Sequence, residues 1–157
     1  MFRAWDDYDP ATYPEDPAEW PDILVVAGTI FGEARGESLQ VKLAVGLVIR
    51  NRVQSPVTWW GNSWKKVCLK KWQFSCWLKQ DPNREKILEP MSYEAAAVWF
   101  DCLLIARLVM DPAFIQNDFG GATHYYDISL DQPGRKAPKW AADLEFKAQE
   151  GRLKFYA

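Results

Sequence analysis

From Ile23 to Phe31 the chain is almost wholly apolar, and just beyond that run it carries a glutamate, Glu33. An apolar segment of this length without a polar stripe predicts a helix buried on most sides, around which a small domain has to pack. Pro21-Asp22 reads as its start, with Asp22 as N-cap, and Gly36 reads as its stop. The segment thus brings a carboxylate to the C-terminal end of a buried helix, where desolvation and the negative end of the helix dipole both oppose ionisation. Two uses are open to such a residue. Glu33 pairs with Arg35 or Arg52 and merely closes the helix, or it stays protonated near neutral pH and serves as a general acid.

The neighbouring segments predict what surrounds it. Ser38 caps a second helix whose apolar positions Val41, Ala44, Val45, Val48 and Ile49 recur at three- and four-residue steps, ending near Val53. A short helix is expected around 63–69. Ser92 reads as the cap of a third long helix with the stripe Ala95, Trp99, Cys102, Ala106 and Val109, stopped by Asp111-Pro112. After Gly120-Gly121 the pattern becomes strand-like over 123–129, and 144–156 reads as a hairpin turning at Glu150-Gly151. Residues 1–21, with four prolines and many acids, read as an extended N-terminal arm without chemistry of its own, and 22–157 as one catalytic domain. The expected fold class is α+β, mainly α, with a small antiparallel sheet.

Composition narrows the chemistry. With 48% apolar and 25% charged residues and a net charge of −2, the chain is a globular protein not suited to nucleic acid, which demands concentrated positive charge. Charge is uneven: seven of the first 22 residues are acidic, whereas Lys65, Lys66, Lys70, Lys71, Lys79, Arg84 and Lys86 crowd one later segment. That segment reads either as a solvated face or as a basic rim for an anionic polymer. Nine tryptophans, among them Trp59, Trp60, Trp64, Trp72 and Trp77, suit both core packing and a sugar-stacking cleft wall. The acidic start is unlike a secretory signal, and no apolar run approaches the roughly 20 residues that cross a bilayer, so a cytoplasmic protein without membrane insertion is expected. Cys68, Cys76 and Cys102 predict reduced buried thiols, and a monomer needing no cofactor is expected.

Catalytic classes fall away in turn. One histidine in the whole chain argues against a histidine-rich zinc site, and no metal is expected. Ser-His-Asp chemistry lacks its G-x-S-x-G elbow. A thiol route pairing His124 with Cys68 or Cys76, as in a Cys/His amidase or peptidase, stays open. So does carboxylate chemistry on a sugar bond, with Glu33 as acid and Glu37 or Asp127 as second carboxylate in a muramidase-type hydrolase; Asp118 and Asp131 are further candidates. A one-carboxylate route also exists, in which the same Glu returns as base toward a hydroxyl of the substrate.

Four blocks in order carry a resemblance: Phe31-Gly32-Glu33-Ala34-Arg35-Gly36-Glu37; Ala44 through Val53; Gln73-Phe74-Ser75; and Gly121-Ala122-Thr123-His124-Tyr125-Tyr126. Together they resemble the SleB-type cell wall hydrolases, the spore-cortex-lytic and bacteriophage lysis enzymes. The resemblance covers roughly residues 23–156 and implies a lysozyme-like helical fold that cleaves the MurNAc-GlcNAc strand of peptidoglycan. It places the catalytic acid on Glu33 and implies lytic transglycosylase action leaving 1,6-anhydroMurNAc ends. With the usual aromatic-and-polar makeup of ligand sites, it makes Gln73, Phe74, Ser75, His124 and Tyr125 the expected substrate-binding residues. Near the C-terminus Gly151-Arg152-Leu153-Lys154-Phe155 departs from the Gly-x-His-x-Phe pattern that the family often shows. A phage endolysin held in the host cytoplasm until the membrane is permeabilised fits this reading; a virion-associated enzyme, or a non-catalytic glycan-binding virion component, is the alternative.

Overall fold

A computed structural model of the 157-residue chain describes residues 6–114 and 119–157. The architecture is mainly helical α+β, as expected. Helix α1 (Asp22–Ala34) is the axis: ten of its 13 residues are buried, and it packs against α2 (Leu39–Gln54), α3 (Trp64–Leu69), α4 (Pro82–Leu88) and α6 (Ala96–Met110). Leu24, Val25, Val26, Ile30 and Phe31 are fully inaccessible. Each such side chain stabilises the fold by roughly 1.5–3 kcal/mol relative to leaving it in water.

Several helix ends differ from expectation. Asp22 is the first residue of α1 and Pro21 occupies the cap, leaving the Asp22 carboxylate in the first turn, where the helix dipole favours it. Gly36 does not end α1 through a left-handed turn. Arg35 keeps right-handed dihedrals (φ −57°, ψ −34°), and the N–H of Glu37 donates to the Ala34 carbonyl at 3.0 Å, which closes the turn with ordinary geometry. Ser38 does cap α2, accepting from the Val41 N–H at 3.3 Å. Ser92 caps nothing. It lies inside α5 (Pro90–Tyr93), closed by the Glu94 N–H donating to the Pro90 carbonyl, so α6 starts after Ala95 without a side-chain cap. Of the anticipated α6 stripe, Trp99, Cys102, Ala106 and Val109 are buried, while Ala95 is exposed. Helix α4 was not anticipated, although Asp81-Pro82 supplies a proline at the first helical position and a carboxylate that accepts from the Asn83 N–H at 2.8 Å.

The sheet has strands β1 (His124–Asp127), β2 (Phe146–Glu150) and β3 (Leu153–Tyr156), antiparallel in the order β1-β3-β2. The expected 123–129 strand stops at Asp127, whose carboxylate accepts from the Ser129 N–H at 2.7 Å and starts a 3-10 turn instead. The hairpin turn uses Gly151 at φ +54°. Side chains alternate across the pleat: Tyr125 packs at a tilt against the core residue Phe155 on one face, and His124, Tyr126 and Tyr156 share the other with Trp140. Leu153, at the position of the histidine in the family's C-terminal pattern, is a core residue.

Two side chains of α2 fasten the sheet to the helices. Asn51 Nδ2 donates to the Ala122 carbonyl at 2.9 Å and Arg52 Nε to the Thr123 carbonyl at 2.8 Å. Residues 6–20 form three 3-10 turns, two of them capped by Asp9 and Asp16. Tyr8 accepts from the Trp99 indole, and Trp20 is buried edge-on to Trp77.

Candidate active site

Glu33 lies in the last turn of α1, half-buried, and among the described residues no ion pair includes it. The two arginines that could have neutralised it are engaged elsewhere. Arg35 donates to Asn83 Oδ1 at 2.8 Å and pairs with Glu94 at 3.4 Å, while Arg52 donates to the Thr123 carbonyl and, at 3.3 Å, to Gln73 Oε1. The partners of Glu33 are neutral donors. Tyr125 Oη donates to its Oε2 at 2.9 Å, and the side chain and backbone of Cys76 also hydrogen-bond to it.

Its proton affinity is raised, first by burial and then by the negative charge of Asp81; the Tyr125 and Cys76 hydrogen bonds act in the opposite direction. A carboxyl in an apolar place, held by neutral donors and open at one edge, has what a general acid near neutral pH requires.

Two glycines of α1 make this environment. A Cβ on Gly32 would stand 2.7 Å from Cys76 Cβ and from Ile87 Cδ1, and one on Gly28 would stand 2.8 Å from Ile87 Cγ2 and 3.0 Å from the Trp77 ring. Spaced one turn apart, they let the 75–77 segment lie directly on the helix. Thr29 between them accepts from the Trp77 indole at 2.9 Å.

Glu33 opens into a depression of about 190 Å³ lined also by Arg52, Trp72, Gln73, Phe74, Ser75 and Tyr125. Four of the five expected substrate-binding residues therefore gather around it. Arg52 is the member that sequence reasoning cast only as a counter-ion. Buried and still cationic, it lies 5.0 Å from the Phe74 ring centroid and 5.6 Å from that of Trp60, binding the 73–75 wall to the sheet. Trp72, by sequence one of several aromatics suited to core or cleft wall, lines the depression as well. Its indole is 67% exposed, and its backbone sits at φ +72°. That left-handed conformation costs an L-residue roughly 1–2 kcal/mol.

His124 points to the other face of β1. Its Nδ1 is 2.9 Å from Thr123 Oγ1, and its ring packs with Trp60 and Trp140, at 5.8 and 4.8 Å between centroids. Burial, with Arg52 nearby, lowers its pKa to about 4, so it is neutral at physiological pH. Among the described contacts no thiol meets it. Burial also raises Cys68 and Cys102 to about 12 and Cys76 well above its usual value, the reverse of nucleophile activation.

Among the described residues the other candidate carboxylates do not line the depression. Glu37 lies by the hairpin turn, with its Oε2 3.7 Å from where a Gly151 Cβ would be. Asp127 pairs with Arg152 at 2.9 Å, which together with the Ser129 hydrogen bonds lowers its pKa to about 2. Asp131 pairs with Lys154 and accepts from Tyr126. Asp118 lies outside the described residues.

Comparison with known proteins identifies the family and the fold. The family model described as Cell Wall Hydrolase matches residues 36–156, most of the chain, beginning just after Glu33. The crystal structure of the catalytic domain of the Bacillus cereus SleB protein is similar with a TM-score of 0.55 and 22% identity, covering 87% of this chain and 89% of that one. At that identity the likeness shows the fold, a lysozyme-like one. No curated protein matches the sequence. The chain belongs to the SleB-type cell wall hydrolases, enzymes acting on peptidoglycan.

Proposed function

We propose that the protein cleaves the MurNAc-GlcNAc strand of peptidoglycan as a lytic transglycosylase, with Glu33 as acid and then base. The observation that carries this is a raised carboxyl in no described ion pair, whose depression has no second carboxylate in its described wall. A hydrolase of the inverting or retaining kind needs such a partner at roughly 5–9.5 Å.

The protonated Glu33 gives its proton to the glycosidic oxygen as the C1–O bond breaks. The resulting carboxylate then takes the proton of the C6 hydroxyl on the same muramoyl residue, whose oxygen closes onto C1. Protons balance and no water is consumed. Tyr125 and Cys76 hold the carboxylate between the two transfers, and Gln73, Phe74 and Ser75 supply the polar and apolar contacts of the cleft. In this reading the enzyme works as a phage endolysin, kept from the wall until the membrane is opened. Among the described residues no helix is long and apolar enough to cross a membrane.

Mass spectrometry of digested peptidoglycan tests the mechanism. Muramoyl ends lighter by one water, without oxygen label from heavy-oxygen water, are expected, and Glu33→Gln abolishes them. Labelled reducing ends would show instead that water attacks.

A further inference from the structure

Beside the Glu33 depression lies a larger one of about 610 Å³, and the two share Trp72 and Phe74 as a common wall. Its floor is apolar, with Trp77, Leu69 and Leu78, and its rim carries Lys70, Lys71, Lys79 and Arg84 against the single carboxylate of Asp16. That carboxylate is already accepting from the Ala18 N–H. Among the described residues none of the four cations is in an ion pair. Lys70 and Lys71 lie over the Trp59 and Trp72 rings at 4.7 and 5.2 Å, and Arg84 donates to the Trp77 carbonyl at 2.9 Å. In a chain of net charge −2, four cations around one apolar trough is a local inversion of sign. The exposed, left-handed Trp72 forms the ridge between the two depressions.

We propose that this trough is a second substrate subsite, which takes the carboxylate-bearing peptide stem of a muramoyl residue while the glycan strand lies across Trp72 to Glu33. The proposal rests on the glycosidase reading of Glu33. Peptidoglycan carries acidic peptide stems along its sugar chain, so a glycan placed at Glu33 must send stems into the space beside it. An apolar floor with a cationic rim matches short peptides that end in carboxylates.

The test uses soluble, uncrosslinked glycan strands with their stems intact, and the same strands stripped of stems by an amidase. The exposed pair is changed together as Lys71→Gln/Lys79→Gln, with Lys71→Arg/Lys79→Arg as the charge-preserving control. For the glutamine variant KM on stem-bearing strands is expected to rise roughly five- to tenfold with kcat unchanged, while stripped strands are cut as by the native protein. The arginine variant behaves natively, and added salt erodes the native preference for stems. Trp72→Gly, which accepts the left-handed backbone, raises KM on both substrates. Equal cutting of stem-bearing and stripped strands by the native protein overturns the proposal, and so does a glutamine variant whose KM rises equally on both or on neither. Cleavage of stripped strands by Glu33→Gln would instead overturn the glycosidase reading itself.

Discussion

The phenol of Tyr125 donates to Glu33 Oε2 across 2.9 Å, joining the last turn of the buried helix to the first strand of the sheet. The two residues are 92 positions apart, so the acid is complete only when both halves of the fold have docked. The bond is also an electrostatic setting, because it favours the ionised carboxylate and partly offsets burial.

Removing it makes the first prediction. Tyr125→Phe keeps the ring against Phe155 but deletes the donor, so the pKa of Glu33 rises further. Since the acid has to be protonated, the alkaline limb of kcat/KM against pH moves to higher pH. A pH–rate profile on purified strands checks this; a limb that stays put or moves down contradicts the role of the phenol.

Stability makes the second. A carboxyl whose pKa is raised on folding leaves the native state binding more protons than the unfolded one above pH 4.5, the ordinary value for Glu. Stability therefore falls as pH rises from there through the native pKa, and stays lowered beyond it. Glu33→Gln removes that penalty, so its melting temperature is expected to exceed the native one at pH 7 and to converge on it below pH 4.5. Thermal unfolding at both pH values measures the difference.

The route to this site was legible in part, and for physical reasons. The unbroken apolar run before Glu33 permits only a buried helix, and Ser38 with the Val41 to Ile49 stripe permits only an amphipathic one, so α1, α2 and the carboxylate between them follow from periodicity. The hairpin follows from its glycine turn. What stayed hidden depends on contacts between distant segments. Nothing in the local sequence singles out Gly28 and Gly32, and only the approach of Cys76 and Ile87 shows why no side chain fits there. Arg52 reads as a cation near an acid, whereas the Thr123 carbonyl claims it. Trp72 adopts a left-handed backbone that no propensity assigns to tryptophan. Ser92 is as good a cap as Ser38 by type, but Pro90 starts a separate turn first.

The third prediction uses the single histidine, which gives one unambiguous imidazole signal. Its C2 proton is expected to titrate near pH 4, below the ordinary 6.5. Because charging is disfavoured in the folded state, that contribution to stability is complete above pH 6.5 and is lost as pH falls from there to about 4. An activity limb well above pH 4 is then not that of the imidazole, and His124→Gln leaves it in place. A titration midpoint near 6.5 would reopen His124 as the base of a thiol mechanism.

The last prediction contrasts two glycines at the same helix end. At Gly32 an added methyl would meet Cys76 Cβ and Ile87 Cδ1 at 2.7 Å, where the 75–77 segment and α4 press on α1, whereas at Gly36 it would meet nothing within 4 Å. Gly32→Ala forces the 75–77 segment off α1 and should destabilise the protein by about 1–3 kcal/mol. Its larger effect is on chemistry. The displaced segment carries Ser75 of the cleft wall and the Cys76 donors to Glu33, so kcat falls even at temperatures where the variant is fully folded. Gly36→Ala, whose backbone is not left-handed, should be neutral or stabilising by about 0.4–1 kcal/mol through loss of unfolded-chain entropy. Chemical denaturation and single-substrate kinetics on the two variants separate the effects. If Gly32→Ala loses stability but keeps the native kcat and pH profile, then close contact between α1 and the 75–77 segment serves folding alone and does not set the acid.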